Sequence, residues 1–313
     1  MIDRATPVVV QGFDPGDGPV AVAAGYKHTC ALTTCGRVKC WGSNVEGALG
    51  NGNNINNTRA VSVLGIADAR TISAGSYHSC AGLLNGTAKC WGYGGYGQLG
   101  NLSTANSNVP VVVSGLSNVK SMVGGIYHSC ALTTAGAVKC WGENSRGQLG
   151  NGSTSGSTVP VNVVGLSSGA AQLAAGSAGH SNCVILAAGG GQCWGANGNW
   201  QLGSGDNLNK TVPTAVVGLS SNPQFIALGW GDSCAGVSSG VQCRGTLNAF
   251  GEHGAGNSAT VTFPQNTVGF VADGPATKPV AISPITQKLP VYTWQPVSGA
   301  TSYRLQIDGM DTI

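Results

Sequence analysis

The chain has 313 residues, of which only 9% are charged and 51 are glycine, and its formal net charge is +3. An average soluble protein is roughly 25% charged. The few lysines and arginines are scattered, so there is no basic stripe for nucleic acid, and no run of 18 apolar residues could cross a membrane as a helix.

The N-terminus, MIDRATPVVVQG, lacks the basic start and apolar core of a signal peptide, so the chain is expected to be processed or a fragment. Residues 1–19 are expected to hold one surplus strand, Thr6 to Phe13. DPGDG at Asp14 to Gly18 lacks the glutamate that an EF-hand calcium loop needs and is expected to be a loop.

From residue 20 a phrase with two cysteines returns five times: HTC…VKCWG, HSC…AKCWG, HSC…VKCWG, HSNC…GQCWG and DSC…VQCRG. The copies are bounded at about residues 20–68, 69–118, 119–168, 169–222 and 223–270. A period of about 50 residues indicates a propeller or solenoid. Short apolar runs broken by Gly, Asn and Ser leave room for strands and tight turns and little for helices. In the third copy VKSMVGG, IYHSCALTT, AVKCWG and VPVNVVGL make four strands, enough for one blade. The expected fold is an all-β propeller of about five four-stranded blades.

Cys130 and Cys140 lie symmetrically about Ala135, so a hairpin turning at Thr134-Ala135-Gly136 sets them opposite each other. Strand alternation puts Cys130, Leu132, Val138 and Cys140 on one face and Ala131, Thr133, Lys139 and Trp141 on the other. The same geometry holds for Cys30 with Cys40, Cys80 with Cys90 and Cys183 with Cys193. Cys234 with Cys243 is one residue shorter and needs a tighter turn near Ser238-Ser239. Disulfides would place the chain in an oxidising compartment, secreted or at a cell surface. The alternative is that the thiols stay reduced and pack as small apolar groups. Apart from Cys35, which has four residues between it and each of Cys30 and Cys40, no cysteines have the C-x₂₋₄-C spacing of a zinc knuckle, and no metal or other cofactor is expected. Cys35, at the first hairpin's turn, is left over.

Beyond residue 270 the character changes. Residues 271–282 are expected to be a linker, and 283–313 the incomplete opening of a β-sandwich in which Tyr292, Trp294, Tyr303 and Leu305 alternate with polar positions. The phrase TWQPVSGATSYRLQI resembles fibronectin type III modules of bacterial extracellular proteins.

The blocks GYKHTCAL…GRVKCWGSNVEGALGNG, GSYHSCAG…GTAKCWGYGGYGQLGN and GIYHSCALTTAGAVKCWGENSRGQLGNG resemble repeats of the regulator of chromosome condensation family. That resemblance implies a β-propeller, usually of seven blades. It covers about residues 20 to 270.

His28, His78 and His128 stand two residues before a cysteine, with His180 shifted by one and Asp232 in the fifth copy. They could converge on a metal, but histidines before a strand are more often bonded to their own backbone. Recurring tryptophans, Trp41, Trp91, Trp141 and Trp194, signal packing. Residues that break the repeat are better candidates for binding: Tyr93, Tyr96, Trp200, Trp230 and Arg244, joined by the loop tyrosines Tyr26, Tyr77 and Tyr127. No carboxylate pair, G-x-S-x-G elbow or phosphate loop suggests an enzyme. The expected role is non-catalytic recognition or adhesion outside the cell, with a protein or glycan partner. The family resemblance adds two alternatives: an inhibitor of a secreted enzyme, as in a relative that blocks β-lactamases, and a nucleotide exchange factor for a small GTPase.

Overall fold

The computed structural model describes residues 7–219, 222–246, 253, 261–266, 305–307 and 310–312. It divides into two units, Met1–Val271 and Ala272–Ile313. Within the first, twenty strands form five four-stranded antiparallel sheets, each a meander. Blade 1 is β1 (Pro19–Ala24), β2 (His28–Thr33), β3 (Val38–Gly42) and β4 (Asn57–Ser62). Blade 2 is β5 (Ala69–Ala74), β6 (His78–Leu83), β7 (Ala88–Gly92) and β8 (Ser107–Val112). Blade 3 is β9 (Val119–Gly124), β10 (His128–Thr133), β11 (Val138–Gly142) and β12 (Ser157–Asn162). Blade 4 is β13 (Ala170–Ala175), β14 (Ser181–Leu186), β15 (Gly191–Gly195) and β16 (Lys210–Ala215). Blade 5 is β17 (Phe225–Leu228), β18 (Asp232–Val237), β19 (Gly240–Gly245) and β20 (Val261–Asn266). In the second unit β21 (Leu305–Ile307) and β22 (Met310–Thr312) pair as an antiparallel hairpin. The expected linker, and the fibronectin-like segment apart from this hairpin, lie outside the described residues.

In every blade the two central cysteines are directly opposed and bridged, with Cα atoms 4.0–4.1 Å apart. The fifth pair turns through Ser238 and Ser239 between the paired residues Val237 and Gly240. Cys35 is free and exposed.

Strand alternation gives each blade two different faces, and the core is built between blades rather than within them. Cys130, Leu132, Val138 and Cys140 pack with Val184 and Trp194 of blade 4. On the opposite face Ala131 and Trp141 pack with Cys80, Cys90 and Leu99 of blade 2. Burying a large side chain of this kind contributes roughly 1.5–3 kcal/mol. A single repeat would leave both faces in water, which is why the array is the folding unit.

Hydrogen bonds repeat across the same interfaces. The indoles of Trp91, Trp141 and Trp194 donate to the carbonyls of Ala48, Gln98 and Gln148 in the preceding blade's Gly-x-Leu-Gly turn. Gly50 closes that turn in blade 1 at φ 63°, and a Cβ there would stand 2.8 Å from the Trp91 ring. Ser79 and Ser129 donate to Ala48 and Gln98 carbonyls. Their hydroxyl protons are thus committed, so His28 and His78 must donate to them through Nε2, at 2.9 and 2.8 Å. His128 Nε2 likewise bonds Asn182 Oδ1 at 3.0 Å.

The N-terminal segment departs from the expected strand. Residues 7–13 form no strand; Gln11 meets β4 through one bond, from Ala60 N to its carbonyl. Phe13 sits edge-on to Trp41 at 6.1 Å, and Lys39 Nζ bonds Gly12 O and Asp14. The physical reason lies in Gly12, which at φ 104° turns the chain away from the ladder while approaching the Ala60 backbone too closely for any side chain.

Candidate functional site: a tyrosine face

The loops after the first strand and after the third strand of a blade open at the same end of the sheet. At that end the first-strand loops are laced together: Tyr26 N bonds Ser76 O, Ser76 N bonds Gly125 O, and Ile126 N bonds Gly179 O. Ser76 Oγ also reaches the Ser177 carbonyl, two blades on, at 2.7 Å.

On this platform five tyrosines from three blades make one continuous surface. Tyr26 meets Tyr77 at 5.8 Å, and Tyr77 stacks on Tyr127 at 5.8 Å with 16° between planes. Tyr127 lies 4.7 Å from Tyr96 and 5.7 Å from Tyr93, and Tyr93 closes the group at 6.2 Å from Tyr96. Tyr26 and Tyr96 are 59% and 47% exposed, and the other three are half-buried. Such edge and offset contacts add about 0.5–1.5 kcal/mol per pair beyond burial. Gly95 makes room for the group, since a Cβ there would fall 2.3 Å from the Tyr93 hydroxyl.

The charges around the face are uneven. Lys27 lies over the Tyr26 ring at 5.3 Å, at the blade 1 end. At the other end Glu143 pairs with His180 at 2.9 Å and also accepts from Ser145 and Gln148. Burial pushes the Glu143 carboxyl up, but the bonds from His180 and Ser145 and the nearby imidazoles outweigh it and hold the pKa below its ordinary value. Partial burial, the neighbouring phenols and the nearby carboxylates raise the pKa of Tyr93 and Tyr127, with Glu46 acting on Tyr93 and Glu143 on Tyr127.

Trp200 and Trp230 also stand on loops at this end of their blades, but neither shares a ring contact with the tyrosines among the described residues. Trp230 is 65% exposed. Trp200 occupies the place of Gly47, Gly97 and Gly147 and keeps their left-handed backbone, at φ 61°. That geometry is strained for a bulky side chain.

Arg244 does not belong to the surface. It is 0% exposed, donates from Nε to Gln201 O and from Nη2 towards Cys193 Sγ, and so fills the tryptophan's place in blade 5. Burial lowers its pKa to about 10. Departure from the repeat here is a substitution inside the scaffold, so Arg244 is withdrawn from the candidate binding residues.

The histidines are scaffold as well. His28, His78 and His128 are buried between blades, and no group of three or more possible metal ligands occurs among the described residues. Ser181, not His180, takes the equivalent position in blade 4, which frees His180 to meet Glu143. Glu46, Glu143 and Gly95 were not singled out from the sequence, and His180 was read with the histidine row rather than with the acid it meets. Glu46 aligns with Tyr96, and Glu143 with Tyr93, at positions where the copies differ, and that variability is the signal that could have found them.

A disulfide-bridged propeller whose blades are fastened by tryptophan-to-turn bonds defines the class. Two profiles of the regulator of chromosome condensation (RCC1) repeat match it, one at residues 20–48, 69–98 and 119–148, the other at 36–81, 85–132 and 135–184. Together they cover residues 20–184 without a gap, 165 of the 313 residues and so more than half of the chain. The chain belongs to the RCC1-repeat family. Among solved structures it is similar to Prp20p from Saccharomyces cerevisiae, at 21% identity and TM-score 0.70, over 80% of this chain and 63% of that one. Human WBSCR16 is similar at 22% identity and TM-score 0.68, over 79% and 66%. The chain thus spans less than two thirds of the chain in either of these two structures. The yeast protein was studied for its binding to Gsp1p and histones, and a second structure of it, with Kap60, is similar at 18% identity and TM-score 0.58, over 79% and 74%. No curated protein matches the sequence.

Proposed function

We propose that this chain is a non-catalytic recognition module that works outside the cell and engages a protein partner through the tyrosine face. The observation that carries the reading is the contiguity of Tyr26, Tyr77, Tyr93, Tyr96 and Tyr127, drawn from three blades and placed at loop positions that the blade scaffold leaves free. Large, partly exposed aromatics on a braced platform form an interface core at low cost in side-chain order. Five bridged hairpins suit an oxidising compartment and weigh against an exchange factor acting in a reducing cytosol. Structures of related propellers with or for protein partners, Kap60 and Gsp1p among them, support a protein over a glycan.

A second reading, inhibition of a secreted enzyme, draws on the same contiguity, because one compact face suits one tight partner. The test is affinity capture from the cell-surface and secreted fractions with the wild-type chain and with Tyr96→Ala and Tyr127→Ala. A protein retained by the wild type and lost with both variants supports the surface reading, and enzyme assays on that protein separate recognition from inhibition. Equal retention by all three chains overturns it.

A further inference from the structure

Three tyrosines of the face, Tyr93, Tyr96 and Tyr127, are in mutual ring contact. They lie at the end of the patch away from Lys27. Two acidic groups border this triad: Glu46, tied to the Tyr93 loop through Asn106, whose Oδ1 accepts from Gly94 N at 3.0 Å while its amide donates to Glu46, and Glu143, next to Gly142 at the end of β11. Their situations differ. Glu143 already holds His180 at 2.9 Å. Glu46 is half-buried, accepts a hydrogen bond from the Asn106 amide at 2.6 Å, and has no cation within ion-pair distance among the described residues. The basic groups on the same loops are Lys27, engaged on the Tyr26 ring, and Arg146, which is exposed beside Glu143 in sequence.

An aromatic ring attracts a cation to its face, and the attraction grows where a carboxylate stands alongside. The neutral amide of Asn106 orients the Glu46 carboxylate without cancelling its charge. The fold therefore supplies π-faces and an oriented carboxylate with no ion-pair partner among the described residues.

Building on the proposed protein-binding face, we infer that the triad of Tyr93, Tyr96 and Tyr127 receives a basic side chain of the partner, a guanidinium or ammonium lying on the phenol rings and paired with Glu46. The partner is thus a protein segment that projects an arginine or lysine. A neutral sugar would gain from ring stacking but not from the carboxylate's charge.

The experiment uses the intact chain and three soluble peptides, hexa-arginine, hexa-citrulline and hexa-glutamate, titrated while tyrosine resonances and fluorescence are followed. Hexa-arginine is expected to bind and to weaken with salt, and hexa-citrulline, of the same shape without the charge, to bind at least about two- to fivefold more weakly. Glu46→Gln keeps the acceptor for Asn106 and is expected to weaken hexa-arginine by a similar factor. Equal binding of the arginine and citrulline peptides, or of hexa-arginine to wild type and Glu46→Gln, overturns the inference, as does an absence of hexa-arginine binding. Preserved disulfides and an unchanged melting temperature show that each variant is folded. A captured partner that depends on Tyr96 but is indifferent to Glu46→Gln would sink this inference and leave the proposed function standing. Indifference to both Tyr96→Ala and Tyr127→Ala would remove both.

Discussion

Arg244 donates from Nε to the main-chain carbonyl of Gln201 at 3.3 Å, the bond that Trp91, Trp141 and Trp194 make to the preceding turn in the other blades. The guanidinium reproduces one hydrogen bond of the indole but carries a charge into the blade 4–blade 5 interface, where its Nη1 has no partner among the described residues. Desolvating a charge without full compensation is costly, and an apolar replacement of similar size is often stabilising. Arg244→Trp is therefore expected to raise stability by about 1–3 kcal/mol without touching the tyrosine face. Urea unfolding of the two chains decides it, and a lower midpoint for the tryptophan variant would show that the arginine is better accommodated than the geometry suggests.

Trp200 holds the left-handed conformation that glycine holds in three sister loops. Trp200→Gly is expected to relieve roughly 1–3 kcal/mol of local strain, partly offset by the freer unfolded chain. The useful comparison is a melting curve beside a binding curve. A variant that melts higher but captures the partner less well would identify a strained residue kept for recognition.

His28, His78 and His128 have their pKa values lowered by burial to about 4, about 3 and about 4, against an ordinary value of 6.5. The folded chain thus prefers neutral imidazoles, and on acidification the unfolded chain takes up protons first. Their contribution is whole above about pH 6.5 and is lost as the pH falls towards 4, each histidine costing up to about 1.4 kcal/mol per pH unit. Denaturation midpoints should fall steeply between pH 6.5 and 4, and His78→Gln should flatten the profile. A profile unchanged by that substitution would mean that the ring titrates alike in both states.

Gly95 lies under the Tyr93 hydroxyl, where a Cβ would come within 2.3 Å of it. Gly95→Ala should move Tyr93 off its contact with Tyr96 and weaken partner capture by about tenfold or more, the scale of an interface hot spot. Fold stability should change little, because the loop is exposed. Retained capture with a displaced Tyr93 would exclude that ring from the interface.

The blades were legible because the repeat couples many positions at once. Cys130, Trp141 and Leu149 each recur at matching places, and strand alternation then assigns the strand residues to faces without coordinates. The tyrosines stood out as departures or loop aromatics, but their mutual contact depends on how three blades converge, which no single repeat contains. Arg244 shows the limit of reasoning from departures, since a repeat can change a residue in its scaffold as readily as at its surface. Glu46 and the pairing of His180 with Glu143 stayed hidden for a related reason. Glu46 matters through a neighbouring blade's Asn106 and Tyr93, and His180 through a shift of register before β14 that hands its expected place to Ser181.

The bridges all fall within blades, joining cysteines nine or ten residues apart, and none ties one blade to the next among the described residues. A chain pulled from its ends would accordingly come apart one blade at a time, each parting along noncovalent packing. Every bridge would then hold back roughly 30 Å of slack, the span of about nine extended residues. Anchored to a surface, such an array would behave as a ratcheted tether whose reach is set by the redox state of its hairpins.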